Sequence, residues 1–212
     1  SGFGLAALLM SGCLIKDTTE TWYVDGSGAV TWVVMEKDVR SDANTTSDRQ
    51  QEESLYWFAV QQQRHPMAAG LQELGGDKVR ALVLRGEAPY TVQTDARFSG
   101  LDELGRRIIA STGLMGTSVV TRDGQTWTWT FIVRDPSSVM STTEPSENVA
   151  MVMDDADALR VVLTAGRFDS AEGFTLSSDR RVATINLKAD TSHDQAEQPT
   201  VTLRLVWKTP GS

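Results

Sequence analysis

The residues with chemical potential are few and scattered. The chain holds two histidines, His65 and His193, and one cysteine, Cys13. Ser192, His193 and Asp194 have the residue types of a hydrolytic triad, but neighbours in sequence cannot converge as a triad must. The loop around them reads as solvated, and there is no Gly-x-Ser-x-Gly elbow. His65 precedes Pro66 at an expected helix end, where a helix dipole favours a positive imidazole, so it reads as a cap or surface residue. Asp154, Asp155 and Asp157 form an acidic cluster, yet they lack the alternating acids and glycine of a calcium loop. They read as a solvated turn or helix start. Glu52, Glu53, Asp154 and Asp157 could serve a carboxylate-based hydrolase, but no spacing selects a pair. The glycines at 70, 75, 76, 113 and 116 match no phosphate-binding loop and read as caps and turns.

The bulk numbers narrow the field. The chain has 212 residues, 40% hydrophobic and 23% charged, which is globular composition. Its net charge of −8 opposes a phosphate backbone, so nucleic acid is not an expected partner. One cysteine excludes an intrachain disulfide and any multi-cysteine zinc or iron–sulfur site. No cofactor or metal is expected.

The aromatic stripe Trp127, Trp129 and Phe131 alternates with Thr126, Thr128 and Thr130. It is either core packing beneath helices or the wall of an apolar binding surface.

Cys13 follows a short apolar run, Gly2 to Met10, which is too short to span a bilayer as a helix. The run reads as the apolar core of a secretory signal whose basic start lies before Ser1. Leu9-Met10-Ser11-Gly12-Cys13 resembles the lipobox of bacterial lipoproteins. That resemblance implies a diacylglycerol thioether on Cys13, cleavage before it, and an N-terminus acylated by fatty acids such as palmitate. Met10 departs from the commoner leucine of the box. Two or more acyl chains suffice for stable anchoring without a transmembrane helix. Leu14, where an aspartate would retain the protein at the inner membrane of enteric bacteria, points to the outer membrane and the periplasm.

The elements that must carry these residues follow from periodicity and turn chemistry. Residues 1–12 read as signal remainder and 13–20 as a lipidated tether. Residues 21–135 read as an α+β core, 136–148 as a linker or loop, and 149–212 as a β-rich part that completes the same domain. Thr21 to Asp25 and Ala29 to Val39 form a hairpin around Gly26-Ser27-Gly28, with Trp22 and Val24 on one face and Val30, Trp32 and Val34 on another. A helix capped by Asp42 or Ser47 buries Leu55, Phe58 and Ala59 and ends or kinks at Pro66. A shorter helix spans Met67 to Leu74. Strands follow at Lys78 to Leu84 and Tyr90 to Phe98. A second amphipathic helix has Ser99 as cap and buries Leu101, Leu104 and Ile108. Next comes a hairpin turning at Asp123-Gly124. Three strands complete the chain, at Ala158 to Thr164, Arg181 to Lys188 and Val201 to Trp207. The order ββα, ββα, ββ suggests a loose internal duplication. It gives an α+β fold, a mainly antiparallel sheet with helices on one face.

The functional expectation is an envelope lipoprotein with a non-catalytic structural or binding role. Its partners are the membrane, through the lipid, and an envelope protein or apolar ligand. The rival readings are a periplasmic carboxylate hydrolase and a subunit of an envelope assembly.

Overall fold

The computed structural model describes residues 14–112, 115–134, 146–154, 156, 158–186 and 200–210. The chain is α+β, with mostly antiparallel strands in two sheets. The first sheet has the order β3 (Asp77–Arg85), β4 (Tyr90–Phe98), β2 (Val30–Ser41), β1 (Leu14–Val24), β7 (Ala158–Leu163), β10 (Val182–Asn186) and β9 (Thr175–Leu176). The second has the order β5 (Met115–Asp123), β6 (Thr126–Arg134), β11 (Val201–Lys208) and β8 (Arg167–Glu172). Among the described residues four helices accompany them: α1 (Thr46–Gln61), α2 (Pro66–Glu73), α3 (Leu101–Thr112) and α4 (Glu147–Asp154). Cys13, the triad-like Ser192-His193-Asp194, and Gly113, Asp155 and Asp157 lie outside the described residues.

The first hairpin organises the molecule. Asp25 closes its turn by accepting from Ser27 N (2.8 Å), Ser27 Oγ (2.5 Å) and Ala29 N (3.1 Å). Burial raises the Asp25 pKa, but these bonds and the Arg97 charge outweigh it and hold the carboxyl below its ordinary value. Trp22 pairs with Trp32 and Val24 with Val30, so the two apolar sets share one buried face and not two, because residues directly opposite in the ladder point to the same side. This hairpin begins earlier than the residue pattern suggests. Leu14 pairs with Ser41 and Thr18 with Glu36, so the expected tether from 14 to 20 is a strand. Its Lys, Asp and Glu residues hide the strand signal, and the long β2 supplies a complete partner edge.

A bulge in β2 then shifts the alternation. Asp38 adopts φ 53°, and the ladder to β4 skips between Glu36 and Val39 while the ladder to β1 skips between Lys37 and Arg40. Val30, Trp32, Val34 and Glu36 face inward, and after the bulge Val39 and Ser41 do too.

Two clusters result. The larger lies between the sheets, where Trp22 meets Trp32 edge-on at 5.3 Å and Trp129 at 6.1 Å. Leu71 of α2, Leu104 of α3 and Val152 of α4 close it. The smaller unites Val39, Tyr56, Val60, Ala81 and Val92 under α1, with Leu14 and Tyr90 packed against it.

Several local expectations are corrected. Thr45, not Asp42 or Ser47, caps α1, accepting from Asp48 N at 3.1 Å. That helix buries Glu52, Tyr56 and Val60, while Leu55 and Phe58 face solvent. The Ser99 hydroxyl donates to the Glu103 carboxylate rather than capping α3. Asp123 pairs with Thr126, so the two-residue turn is Gly124-Gln125, with Gly124 at φ 56°. Asn148, placed in the linker, belongs to α4.

Candidate functional site

The alternation of β1 and β2 places carboxylates on the inner face. Thr18, Glu36 and Val92 form one row across β1, β2 and β4, and Glu20, Val34 and Thr94 form the next. Glu20 and Glu36 are both buried, diagonal to each other on that face.

Polar partners converge on Glu36 from three elements. Lys16 sits at the irregularity between Ile15 and Asp17 and brings its Nζ 2.7 Å from Glu36 Oε1. His65, which precedes α2, brings Nε2 3.1 Å from Glu36 Oε2. Pro66 at the first helical position fixes that approach. Tyr56 of α1 donates to Glu36 Oε2 at 3.4 Å, and its ring meets His65 edge-on at 5.2 Å. Burial, then the Glu36 charge, pushes the Tyr56 pKa well above its ordinary 10.0. Glu52, beside this group on α1, accepts from Ser41 Oγ at 2.5 Å.

An imidazole at hydrogen-bond distance from a carboxylate is the unit of general acid–base catalysis. Here it is sealed, with side-chain exposures of 2% for His65 and 1% for Glu36. A substrate cannot reach it, so the cluster ties the first hairpin to α1 and α2. His65 is therefore a buried partner of Glu36 and not a surface residue, and it stands at the N-cap of α2 without a side-chain capping bond. Sequence reading passed over Glu36, Lys16 and Tyr56. The usable signal was the alternation Val30, Trp32, Val34, Glu36, which continues the core face onto an acid.

The other predicted site residues scatter. Glu53 accepts from Ser41 N at 3.2 Å, and with Glu52 this holds α1 to the end of β2. Asp154 ends α4, and its neighbours Asp155 and Asp157 lie outside the described residues. No three His, Cys, Asp or Glu among those residues group to hold a metal.

The aromatic stripe divides. Trp129 and Phe131 are buried in the larger cluster. Trp129 donates from Nε1 to Ser118 Oγ at 3.0 Å, and Ser118 Oγ donates to the Leu101 carbonyl at 3.2 Å. These two rings are core and offer no surface. Trp127 is half-buried, stacked on Trp207 at 5.9 Å and 8°, with the Arg122 guanidinium 4.6 Å from its centroid. Gly28, at φ 86°, lies under the same ring, where a Cβ would come within 3.1 Å. The recess beside Trp127, Trp207 and Leu101 measures about 80 Å³. Pockets that enclose a small ligand measure about 300–1,000 Å³. A lipid does not fit there.

No family model matches the chain, and no curated protein matches it. Among solved structures it is similar to the folded domain of Mycobacterium tuberculosis LppM, determined by NMR, at 14% identity and a TM-score of 0.41, over 98% of this chain and 97% of that one. The Danio rerio Fcho1 mu homology domain with bound Eps15 peptide aligns at 8% identity and a TM-score of 0.22, over 94% of this chain and 80% of that one. At these levels neither likeness assigns an activity to the chain.

Proposed function

We propose that the chain is an envelope lipoprotein, anchored through Cys13, whose folded domain has a non-catalytic structural or binding role. The carrying observation joins sequence and fold. The lipobox-like Leu9-Met10-Ser11-Gly12-Cys13 ends one residue before β1 begins at Leu14. Cleavage before Cys13 leaves every described element in place and sets the acyl chains directly beside the sheet. No helix among the described residues is long and apolar enough to cross a membrane. The non-catalytic reading is supported by the sealed Glu36–His65 pair. In cells fed a fatty-acid analogue, the wild type takes up label and Cys13→Ser does not. Equal labelling of both overturns the anchor.

A further inference from the structure

The end of the first sheet that carries Leu14 is unusually apolar on its outside. Register brings four strand ends together there: Leu14 pairs with Ser41, Val39 with Tyr90, and Thr91 with Arg85. Helix α1 covers this end, since Tyr56 and Val60 share a cluster with Val39 and Val92, against which Leu14 packs. Trp57 stacks on Tyr90 at 5.4 Å and lies against Gly86 of the β3–β4 connection. On the outer surface of the same helix Leu55 is 40% and Phe58 56% exposed, three residues apart and so on one face. Ile15 of β1 is also exposed at this end, but on the sheet face opposite Leu14 and α1. Around Leu55 and Phe58 the helix is otherwise polar, with Gln50, Gln51, Ser54 and Gln61.

We infer that the outer face of α1, through Leu55 and Phe58, docks on the bilayer that receives the acyl chains of Cys13. The inference rests on the anchor reading. The occupant follows from where the chain enters the fold. Consecutive Cα atoms are about 3.8 Å apart, so an acylated Cys13 holds Leu14 at the level of the lipid headgroups. Because Leu14 packs in the cluster under α1, the helix lies within about one helix diameter, ~10 Å, of the anchor. At that distance an exposed phenylalanine and leucine meet the headgroup–acyl boundary, where such side chains are favoured. The lipid supplies affinity and the helix face sets the orientation of the domain.

The test uses the full lipidated chain in phosphatidylcholine–phosphatidylglycerol vesicles, with or without brominated acyl chains. A thioether occupies the Cys13 sulfur, so a thiol dye reports only an introduced cysteine. Leu55→Cys and Phe58→Cys are compared with Tyr23→Cys, which is exposed on β1 nine residues after Leu14, about 30 Å away along the strand. Flotation with the vesicles, together with loss of emission at 55 and 58 and none at 23, is the expected result. A Phe58→Glu substitution then restores emission at 55 while flotation persists. Flotation without quenching at 55 and 58, or with equal quenching at 23, overturns the docking face and leaves the anchor standing. Failure to float overturns the anchor, and the docking face with it. Unchanged far-ultraviolet circular dichroism shows that each variant is folded.

Discussion

His65 Nε2 lies 3.1 Å from Glu36 Oε2, and neither side chain reaches solvent. The contact joins the start of α2 to the middle of the first sheet, while Lys16 meets the other carboxylate oxygen at 2.7 Å. Removing one member of a buried ionic group costs about 3–5 kcal/mol, because the remaining charge stays desolvated. Glu36→Gln is therefore expected to lower stability by about 3 kcal/mol, read from the urea midpoint at constant slope. Adding Lys16→Met to Glu36→Leu recovers part of the loss, since two apolar side chains avoid the desolvation. A double variant no more stable than Glu36→Leu alone would show that Lys16 and Glu36 are not energetically coupled.

Tyr56 supplies an alkaline signature. Its folded pKa is raised, so its contribution is fully present below the ordinary 10.0 and is lost as the pH climbs above it. In that range the unfolded chain releases the phenolic proton and the folded chain keeps it, so stability falls by about 1.4 kcal/mol per pH unit. Tyr56→Phe flattens this limb and costs only a long hydrogen bond at neutral pH. Denaturant melts from pH 9 to 11, on the order of one unit either side of the ordinary phenol value, compare the two slopes. Parallel slopes count against the prediction.

The seam between α3 and β5 is close. A Cβ on Gly105 would overlap the Ser118 hydroxyl and come 2.6 Å from Ser118 Cβ and 3.1 Å from Phe131 Cδ2. Gly105→Ala improves helix propensity by about 1 kcal/mol, but overpacking a core contact costs about 1–3 kcal/mol. Net destabilisation is expected, with a lower thermal midpoint. A higher midpoint would mean that the helix moves away freely.

The two tryptophans of β6 separate by environment. Trp129→Ala is expected to cost about 3–5 kcal/mol as a core cavity that also removes the bond the Ser118 hydroxyl accepts. Trp127→Ala loses a half-buried ring and its contact with Arg122, about 1–2 kcal/mol. Chemical denaturation of both variants orders them. Equal losses would contradict the division of the stripe.

Local chemistry made part of this fold readable. The spacing of Leu101, Leu104 and Ile108 gave the buried face of α3, and the alternation from Tyr90 to Phe98 gave β4. The face of α1 was illegible because its partners are polar. Glu52 turns in to Ser41 and Tyr56 to Glu36, which displaces Leu55 and Phe58 to the outside. Strand β8 has only Phe168 fully buried and exists through its ladder to β11. The Glu36 cluster depends on a bulge and on three elements distant in sequence, so no single window contains it.

The parallel ladder between β1 and β7 carries one more consequence. Thr164 Oγ1 donates to the Val24 carbonyl across 140 residues of chain, and five residues of each strand are in register. Strand β1 thus lies in the interior of its sheet, with one long edge open until the much later β7 has been made and has docked. Loop closure over such a span is slow, so assembly is late and non-local.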